Sequence, residues 1–316
     1  MPIRIATRRS KLALAQSEWV KSCLEALEPG LTVELREYVT RGDQVQNVPL
    51  SEIGGKGLFT KEIEDALLNG EADLAVHSLK DLPSQLPAGL VLAAVPVRED
   101  PRDVLVLPTS VAVAADSDVN TAYLELLPQG ARVGSGSLRR MSQVLKERPD
   151  LRVENVRGNV DTRLRKLDEG QYDALILAAA GLRRLGLAHR ISVSLPAEIS
   201  TPAPGQGALG LEARADDERT LALLAKLNHV ESSVCVAAER ALMDAVGGGC
   251  SVPLGAYARV RGDRLELLGV LASADGKCLV REMREGSLAE PAELGRAVAE
   301  KLLATGGREI LDALAK

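Results

Sequence analysis

The sequence feature that most constrains the fold is an alternation of strand-like and helix-like segments over the first two thirds of the 316 residues. Short apolar runs, typical of buried strands, are followed by segments whose apolar side chains recur at helical spacing. Such alternation predicts α/β layers built on mainly parallel sheets. The first expectation is therefore an α/β protein.

The first α/β unit begins at the amino terminus. Residues 3–6 (IRIA) predict a short strand, and Ser10 stands where it would cap a helix over 11–27. In that helix we expect Leu12, Ala15, Trp19 and Leu27 to lie near one face. The further elements predicted in this unit are strands at 31–39, 72–76 and 90–95 and a helix at 58–69.

Two proline-bearing segments separate a second α/β unit from the first. Residues 98–103 (REDPRD) and 202–207 (PAPGQG) are predicted crossings, and a strand at 208–213 beyond the second is expected to return to the first sheet. The elements predicted between them are strands at 104–107, 131–133, 151–155 and 173–178 and helices at 138–147 and 160–169.

The last third has a different pattern, with two helices, three consecutive strands and terminal helices. Consecutive strands grouped apart from helices indicate a separate α+β domain. Its predicted elements are helices at 217–227 and 231–245, strands near 254–261, 264–271 and 278–284, and helices from Pro291. The predicted domains are 1–98 with 206–225, then 103–201, and finally 229–316.

Positive charge is concentrated in one stretch. The net charge is -5, yet residues 130–190 hold 13 basic side chains against 7 acidic ones, and arginine outnumbers lysine 28 to 11 in the whole chain. The planar guanidinium group matches carboxylate and phosphate geometry. We therefore expect a local anion site. Six aromatic residues are too few for the stacking platforms of single-strand nucleic-acid binders.

Cysteine spacing and the amino terminus exclude other classes. Cys23, Cys235, Cys250 and Cys278 are widely spaced and form no CxxC pair, so neither a disulfide framework nor a zinc site is indicated. The amino terminus has early arginines but no apolar core of a signal peptide, and no apolar run approaches the length of a membrane span. We expect a soluble, cytoplasmic protein without metal.

Two arginine-bearing loops follow predicted strands and open predicted helices. Residues 134–140 (GSGSLRR) and 157–163 (RGNVDTR) would place free backbone N–H groups, helix dipoles and guanidinium groups at the carboxyl edge of one sheet, where ligands bind in open α/β folds. The alternative is a glycine turn with solvated arginines, or ion pairs to Asp161 or Glu154. The loops favour an anion site.

Three further segments could contribute to chemistry. Asp81, in 77–81 (HSLKD) at a strand end, could stabilise a developing cation and move protons, or simply form a turn. Cys250 follows three glycines, so its thiol should be reachable, whereas the other cysteines fit small buried residues. Residues 54–59 (GGKGLF) lack the spacing of a phosphate loop and predict a mobile loop offering Lys56.

Short motifs spread over almost the whole chain resemble the porphobilinogen deaminase family, also called hydroxymethylbilane synthase. Each motif is weak alone, but their number and order are specific. They are RIATR (4–8), VTRGD (39–43), GGKGLF (54–59), AVHSLKD (75–81), REDPRD (98–103), SLRR (137–140), RGNV (157–160), AGL (180–182), GQG (205–207) and GGC (248–250).

The resemblance implies a transferase of tetrapyrrole biosynthesis. Such an enzyme joins four porphobilinogen units head to tail, releases four ammonia molecules and frees hydroxymethylbilane. It also implies a dipyrromethane cofactor, bound by a thioether to Cys250, and makes Asp81 the catalytic carboxylate. Loss of ammonia leaves a cationic ring that an electron-rich pyrrole attacks, and a nearby carboxylate can stabilise that cation and mediate proton transfer.

The resemblance also gives the arginine-rich segment a purpose, because every cofactor and substrate ring brings an acetate and a propionate. A three-domain architecture follows, with two lobes like those of periplasmic binding proteins and the site between them. A monomer that binds porphobilinogen, without nucleic acid, membrane or metal, is implied. The residues implied to bind cofactor or substrate are Arg8, Ser10, Lys56, Phe59, Lys80, Ser137, Arg139, Arg140, Arg157, Arg163, Arg184 and Gln206.

Two departures and two alternatives accompany this interpretation. Some family members have a second lysine where this chain has Glu52, and residues 108–130 depart from the family pattern, which predicts a divergent surface insertion. A non-catalytic anion-binding protein with two lobes would explain the arginines but not an accessible thiol. A nucleic-acid binder would show salt-sensitive binding, but acidic charge and few aromatics oppose it.

Overall fold

The computed structural model describes residues 2–44, 58–111, 124–248 and 252–314. Strands in these ranges form three sheets. The strands are β1 (Ile3–Arg8), β2 (Val33–Tyr38), β3 (Leu74–Ser78), β4 (Leu90–Ala94), β5 (Asp103–Val106), β6 (Arg132–Gly134), β7 (Arg152–Glu154), β8 (Ala174–Ala178), β9 (Val193–Ser194), β10 (Leu209–Arg214), β11 (Leu254–Arg261), β12 (Arg264–Ala272) and β13 (Leu279–Ser287).

Helices cover these sheets as the alternation predicts. They are α1 (Lys11–Leu27), α2 (Arg41–Gln44), α3 (Lys61–Leu68), α4 (Leu138–Glu147), α5 (Val160–Asp168), α6 (Ala179–Arg184), α7 (Glu218–Ala225), α8 (Val230–Ala245), α9 (Pro291–Leu302) and α10 (Arg308–Leu314). Helix α6 and strand β9 were not predicted, because six and two residues are too short to carry a periodic signal.

The first two sheets have the same topology. The first lobe contains the sheet β2-β1-β3-β10-β4, and the second lobe contains β7-β6-β8-β5-β9. The α/β fold class is confirmed, and β10 does return to the first sheet as predicted. Each sheet has an apolar core beneath its helices, with Ile5, Leu74 and Leu211 fully buried in the first and Leu105 and Ile176 in the second.

The prediction of mainly parallel sheets is wrong for half of the strand pairs. β10 runs antiparallel to both β3 and β4, and β5 runs antiparallel to both β8 and β9. Each of these two crossing strands enters its sheet from the other lobe and therefore runs against its neighbours. The remaining pairs, β1 with β2 and β3 and β6 with β7 and β8, are parallel.

Helix α1 buries a different face from the one predicted. Trp19 and Leu27 are 46% and 45% exposed, whereas Gln16 and Ser17 are buried. The Gln16 amide donates to Ser78 Oγ at 2.9 Å, so a polar side chain can occupy the interior there. The spacing of apolar residues alone therefore predicted burial for a side of the helix that is partly exposed.

The segment 108–130 is not simply a surface insertion. Residues 112–123 lie outside the described ranges, but Leu124 and Leu127 are 5% and 3% exposed and pack into the core of the second lobe. Arg148 follows helix α4 and donates to the carbonyl oxygens of both leucines, at 2.5 and 3.3 Å. The segment's end is therefore part of the fold.

The third sheet, β11-β12-β13, is antiparallel and packs against α8 and α9 around Leu242, Val298 and Leu302. This is the predicted α+β region, and strand β11 has the predicted bounds. The domain boundaries themselves stay a prediction.

No single helix of the described residues is long and apolar enough to cross a membrane. Helices α7 and α8 are long and apolar enough only when they are taken together, and the chain bends by 111° between them.

Candidate functional site

Asp81 follows the carboxyl end of β3 and faces arginines of the second lobe. A 3-10 turn over Leu79–Asp81 follows the strand directly. The turn is fixed to the crossing segment by a hydrogen bond from Leu79 N to Ala208 O at 3.0 Å. Asp81 is half-buried, and its charge acts on Lys80, Arg140 and Arg163. The structure therefore brings the predicted carboxylate into the electrostatic range of three predicted cations.

Asp103, at the start of β5, organises the arginines of the second lobe. It is fully buried and accepts from Arg139 NH1 at 2.7 Å, from Arg140 Nε at 2.8 Å and from Ser200 Oγ at 2.8 Å. Burial by itself would raise the pKa of Asp103, but the two guanidinium groups hold it far below its usual range. Asp103 is therefore ionised and compensates one of the two arginine charges.

Gln206, in the second crossing, forms hydrogen bonds with site residues from both lobes. Its side-chain nitrogen donates to Pro101 O at 2.7 Å and to Asp103 at 2.8 Å. Its side-chain oxygen accepts from Arg140 at 3.1 Å and from Lys80 at 3.4 Å. Since Gln206 is 1% exposed, this amide fixes the spacing between Lys80 and the arginine cluster.

The cluster holds more positive than negative charge. Its two carboxylates are Asp103 and the adjacent Asp81. Its four cations are Lys80, Arg139, Arg140 and Arg163, so cations outnumber carboxylates. Burial, together with the neighbouring guanidinium of Arg140, lowers the pKa of Lys80 to about 8 and that of Arg163 to about 10. Such a cluster is stabilised by a bound anion, because uncompensated buried charge is costly.

Arg163 and Arg157 lie where helix α5 begins. The Arg163 Nε donates to Gly158 O at 2.8 Å, which folds its side chain back over the loop. The charge of Arg157 acts on Arg163, so the two are neighbours. The charge of Arg140, on the other predicted loop, also acts on Arg163, so both predicted loops face the same site.

Arg184, at the end of α6, lies against the second crossing. Its guanidinium donates to Gly207 O at 2.6 Å, and burial lowers its pKa to about 10. Gly207 has a φ of 86°, and a Cβ there would collide with the carbonyl oxygen of Glu99, so only glycine lets the two crossings approach this closely. The structure brings Arg184 to the crossing rather than to Asp103.

Arg8, Phe59 and Ser10 belong to the first lobe. The Arg8 guanidinium lies over the Phe59 ring, 4.4 Å from its centroid. The ring in turn packs directly on Gly42, where any Cβ would overlap it. Ser10 Oγ accepts from Ala13 N at 3.2 Å and so caps helix α1.

Ser137 differs from Ser10 although both precede a helix. Its hydroxyl makes no capping bond to α4, and its backbone N–H donates to Ser135 Oγ at 3.2 Å. The hydroxyl that begins α4 is thus not used by the helix, in keeping with a binding role at that loop.

Two predicted residues, Lys56 and Cys250, lie outside the described residues, as does Glu52. Of the other cysteines, Cys235 is buried as expected and Cys23 is half-buried. The expectation for Cys278 is wrong, because it is exposed in the turn before β13, where its N–H donates to Ser273 Oγ.

The segment leading towards Cys250 is anchored to both crossings. Glu239 of α8 is fully buried and accepts from the Arg98 guanidinium at 2.7 and 3.1 Å. It also accepts from Gly205 N at 2.7 Å and Ala258 N at 2.8 Å. One carboxylate thus ties the C-terminal region to the two segments that join the lobes.

Sequence reasoning missed Asp103, Ser200 and Glu239. Asp103 lies within the motif at 98–103, which was interpreted only as a crossing. An acidic residue beginning an apolar strand was the available signal, since a charge buried there must have partners. For Ser200 and Glu239 no local pattern pointed to the cluster.

Two family models cover the chain. Residues 3–222 match the family described as porphobilinogen deaminase, dipyromethane cofactor binding domain. Residues 233–304 match porphobilinogen deaminase, C-terminal domain.

Relatives and solved structures are similar to different degrees. Porphobilinogen deaminase of Syntrophotalea carbinolica is 51% identical over 99% of this chain and 96% of its own length, and that of Trichlorobacter lovleyi is 52% identical over 98% and 96%. The periplasmic VFT2 domain of Bordetella pertussis BvgS is 18% identical with a TM-score of 0.40, covering 71% of this chain and 86% of that one. That TM-score is low, so the strand order above defines the fold.

Matching models over both parts of the chain and full-length relatives at about half identity agree with the cation-rich site beside a carboxylate. The chain belongs to the porphobilinogen deaminase family.

Proposed function

We propose that this protein is the transferase that joins four porphobilinogen molecules head to tail, with release of ammonia, to give hydroxymethylbilane in tetrapyrrole biosynthesis. The observation that carries the proposal is the excess of cations beside Asp81, two of them buried and two half-buried, in a chain of this family. Porphobilinogen carries two carboxylates on each ring, and guanidinium groups bind carboxylates with matched geometry.

The same residues fit the dipyrromethane cofactor that the family model names. Its carboxylates would supply negative charge to Lys80, to Arg163 and to Arg140, which shares Asp103 with a second arginine, and the unused Ser137 hydroxyl would add a hydrogen bond. When bound, the group supplies the electron-rich pyrrole from which the chain grows. We propose that Cys250 attaches it and that Arg139 acts mainly by pairing with Asp103.

In this proposal Asp81 has two tasks. Loss of ammonia from porphobilinogen leaves positive charge on the substrate ring, and the Asp81 carboxylate stabilises that charge. After the new carbon–carbon bond forms, a ring proton must leave, and the same carboxylate accepts it. The hydrogen bonds of Leu79 and Gln206 hold the turn, so that Asp81 need not reorganise during the reaction.

The remaining binding residues are assigned by position. We propose that Arg8, stacked on Phe59, and Ser10 line the first-lobe side of the cleft, with Lys56, and that Arg157 and Arg184 bind carboxylates on the second-lobe side. We also propose three domains with the boundaries given above and a cytoplasmic monomer that needs no metal, membrane or nucleic acid.

The first experiment removes the carboxylate of Asp81. Asp81→Ala should keep the fold by circular dichroism and lower kcat by about 100-fold or more, the range of a lost general acid–base group. Asp216→Ala, an exposed acid on the same lobe, is the matched control and should behave as wild type. Wild-type turnover in Asp81→Ala would remove that residue from the mechanism.

The second experiment tests attachment. Intact-mass and peptide mass spectrometry of the purified protein should find two linked pyrrole units on Cys250. Cys250→Ser should lack them, while Cys278→Ser, which changes an exposed cysteine, should retain them. An active enzyme without any adduct would overturn the attachment proposal.

A further inference from the structure

A buried polar cluster lies in the first lobe, outside the residues assigned above to binding or catalysis. It consists of Thr60, Glu64, His77 and Glu212, each at most 6% exposed. His77 Nε2 and Glu212 Oε2 are 2.9 Å apart. The Thr60 hydroxyl lies close enough to the Glu64 carboxyl to act on it, and among the described residues Glu212 Oε1 is buried without a hydrogen-bond partner. One of the two buried carboxyl groups thus presents an oxygen that nothing satisfies.

These two carboxyl groups act on each other. The negative charge of Glu212 reaches Glu64, as do His77 and the exposed Asp65 of the same helix. On the far side, the charge of Glu212 reaches Arg240, whose guanidinium donates to the carbonyl oxygens of the 82–84 segment instead. Two neighbouring buried carboxylates cannot both remain charged at low cost. A single proton would remove one of the two charges.

The surroundings of Glu64 favour the protonated form of its carboxyl group. Burial raises the pKa of Glu64, and the charge of Glu212 adds to the rise, while Thr60 and His77 oppose it. Glu64 is therefore the member of the cluster that is favoured to keep the proton.

The cluster joins the three first-lobe and crossing segments that carry candidate site residues. Thr60 directly follows Phe59, and His77 lies on β3, which runs into the turn holding Asp81. Glu212 lies on β10, which begins just beyond Gln206 and pairs with β3. The His77–Glu212 contact thus links β3, which leads into the turn that holds Asp81, to β10, which follows Gln206.

We propose that the neighbouring acids Glu64 and Glu212 carry one proton between them, held on Glu64, and that the cluster of Thr60, Glu64, His77 and Glu212 positions the 79–81 turn. His77 and Glu212 act as positioning residues, since they reach the reaction only through Asp81. The positioning role rests on the proposed function, whereas the shared proton does not.

The shared proton is tested by stability alone. Glu64→Gln replaces the acid with a neutral group of the same shape that can still donate. In the wild type, stability should fall as pH rises above the ordinary glutamate range, because only the unfolded chain releases the proton readily. The variant lacks this loss, so its melting temperature relative to wild type should increase with pH.

Asp65→Asn is the matched control, since Asp65 is the exposed acid next in the same helix. Its melting temperature should differ from wild type by the same amount at every pH. A Glu64→Gln variant that becomes less stable relative to wild type as pH rises, or shows no pH dependence, would overturn the shared proton.

Positioning is tested by separating kcat from KM. Glu212→Gln replaces the carboxylate that faces His77 with an uncharged amide and should lower kcat about tenfold to a hundredfold with KM nearly unchanged, as a small misplacement of a catalytic group does. Glu64→Gln should keep kcat near wild type, and Glu64→Leu, which has no donor, should lower it. If Glu212→Gln does not fold, the contrast between the two Glu64 variants decides.

Equal kcat in Glu64→Leu and Glu64→Gln, or a change confined to KM, would overturn the positioning role. If the wild type forms no hydroxymethylbilane, the proposed function fails, while the melting curves still report on the proton.

Discussion

Each lobe receives one crossing strand from the other, and each crossing strand carries one fully buried carboxyl group. In the first lobe this is Glu212 on β10, whose partner is His77 and whose neighbour is another acid, Glu64. In the second lobe it is Asp103 on β5, whose partners are the guanidinium groups of Arg139 and Arg140. The two strands occupy the same place in sheets of the same order.

The difference shows that topology and chemistry are set separately. The shared fold places a buried carboxyl group behind the site in both lobes. The residues around it then give the first lobe a cluster of two acids and a histidine and the second lobe an arginine-rich cluster. The chemical difference between the lobes therefore comes from the residues that surround Glu212 and Asp103.

The largest effect should come from breaking the second-lobe cluster. Asp103→Asn leaves Arg139 and Arg140 buried without their counter-charge and should lower the free energy of unfolding by about 3–5 kcal/mol, measured by denaturant titration. Loss of an exposed partner is the control: Asp168→Asn, which breaks the Arg190 pair, should cost about 1 kcal/mol or less. Equal losses in the two variants would remove the distinction between buried and exposed pairs.

An intermediate effect is expected from pH, through Lys80. Its pKa of about 8 means that the ammonium loses its proton in the folded protein as pH rises through that value. KM for porphobilinogen should then increase by about tenfold, the value of a lost charged hydrogen bond. Folding shows the opposite sign, because the cost of burying the charge disappears between about 8 and the ordinary lysine pKa.

Lys80→Arg sharpens that test, since arginine keeps its charge throughout this range. Its KM should be independent of pH where the wild-type KM rises. The same rise in both proteins would assign the titration to another group.

The smallest effect concerns an exposed ion pair between the lobes. Lys11 of α1 and Asp161 of α5 form an exposed ion pair at 3.0 Å. A double-mutant cycle with Lys11→Ala and Asp161→Ala should give a coupling of about 1 kcal/mol or less that disappears at high salt. The Arg165–Glu169 pair, exposed within one helix of the second lobe, is the matched control. A coupling several times larger for Lys11–Asp161 would make that pair a structural latch.

Much of the fold could be predicted because its signals are local. Helix α4 and strand β11 have the bounds expected from periodicity, capping residues and turns. The errors occur where distant partners decide. Gln16 is buried in α1 because Ser78 receives its hydrogen bond, and β10 is antiparallel because the chain re-enters its sheet from the second lobe.

The candidate site was predicted to a similar degree. The loops at 134–140 and 157–163 and the strand end at Asp81 were found from residue types next to strand ends, and the structure brings them together. Asp103 was missed, since a buried acid becomes informative only when its guanidinium partners are known.

By itself, the sequence determined the α/β class, the two crossings, the excess of positive charge in 130–190 and the family, because these depend on local pattern and composition. Only the tertiary structure decided that Arg139 and Arg140 share Asp103 as their counter-charge, how Gln206 spaces Lys80 from Arg140, and that Glu64 and Glu212 act on each other. Those facts depend on side chains far apart in the chain whose burial removes water as a partner, so that each must find another.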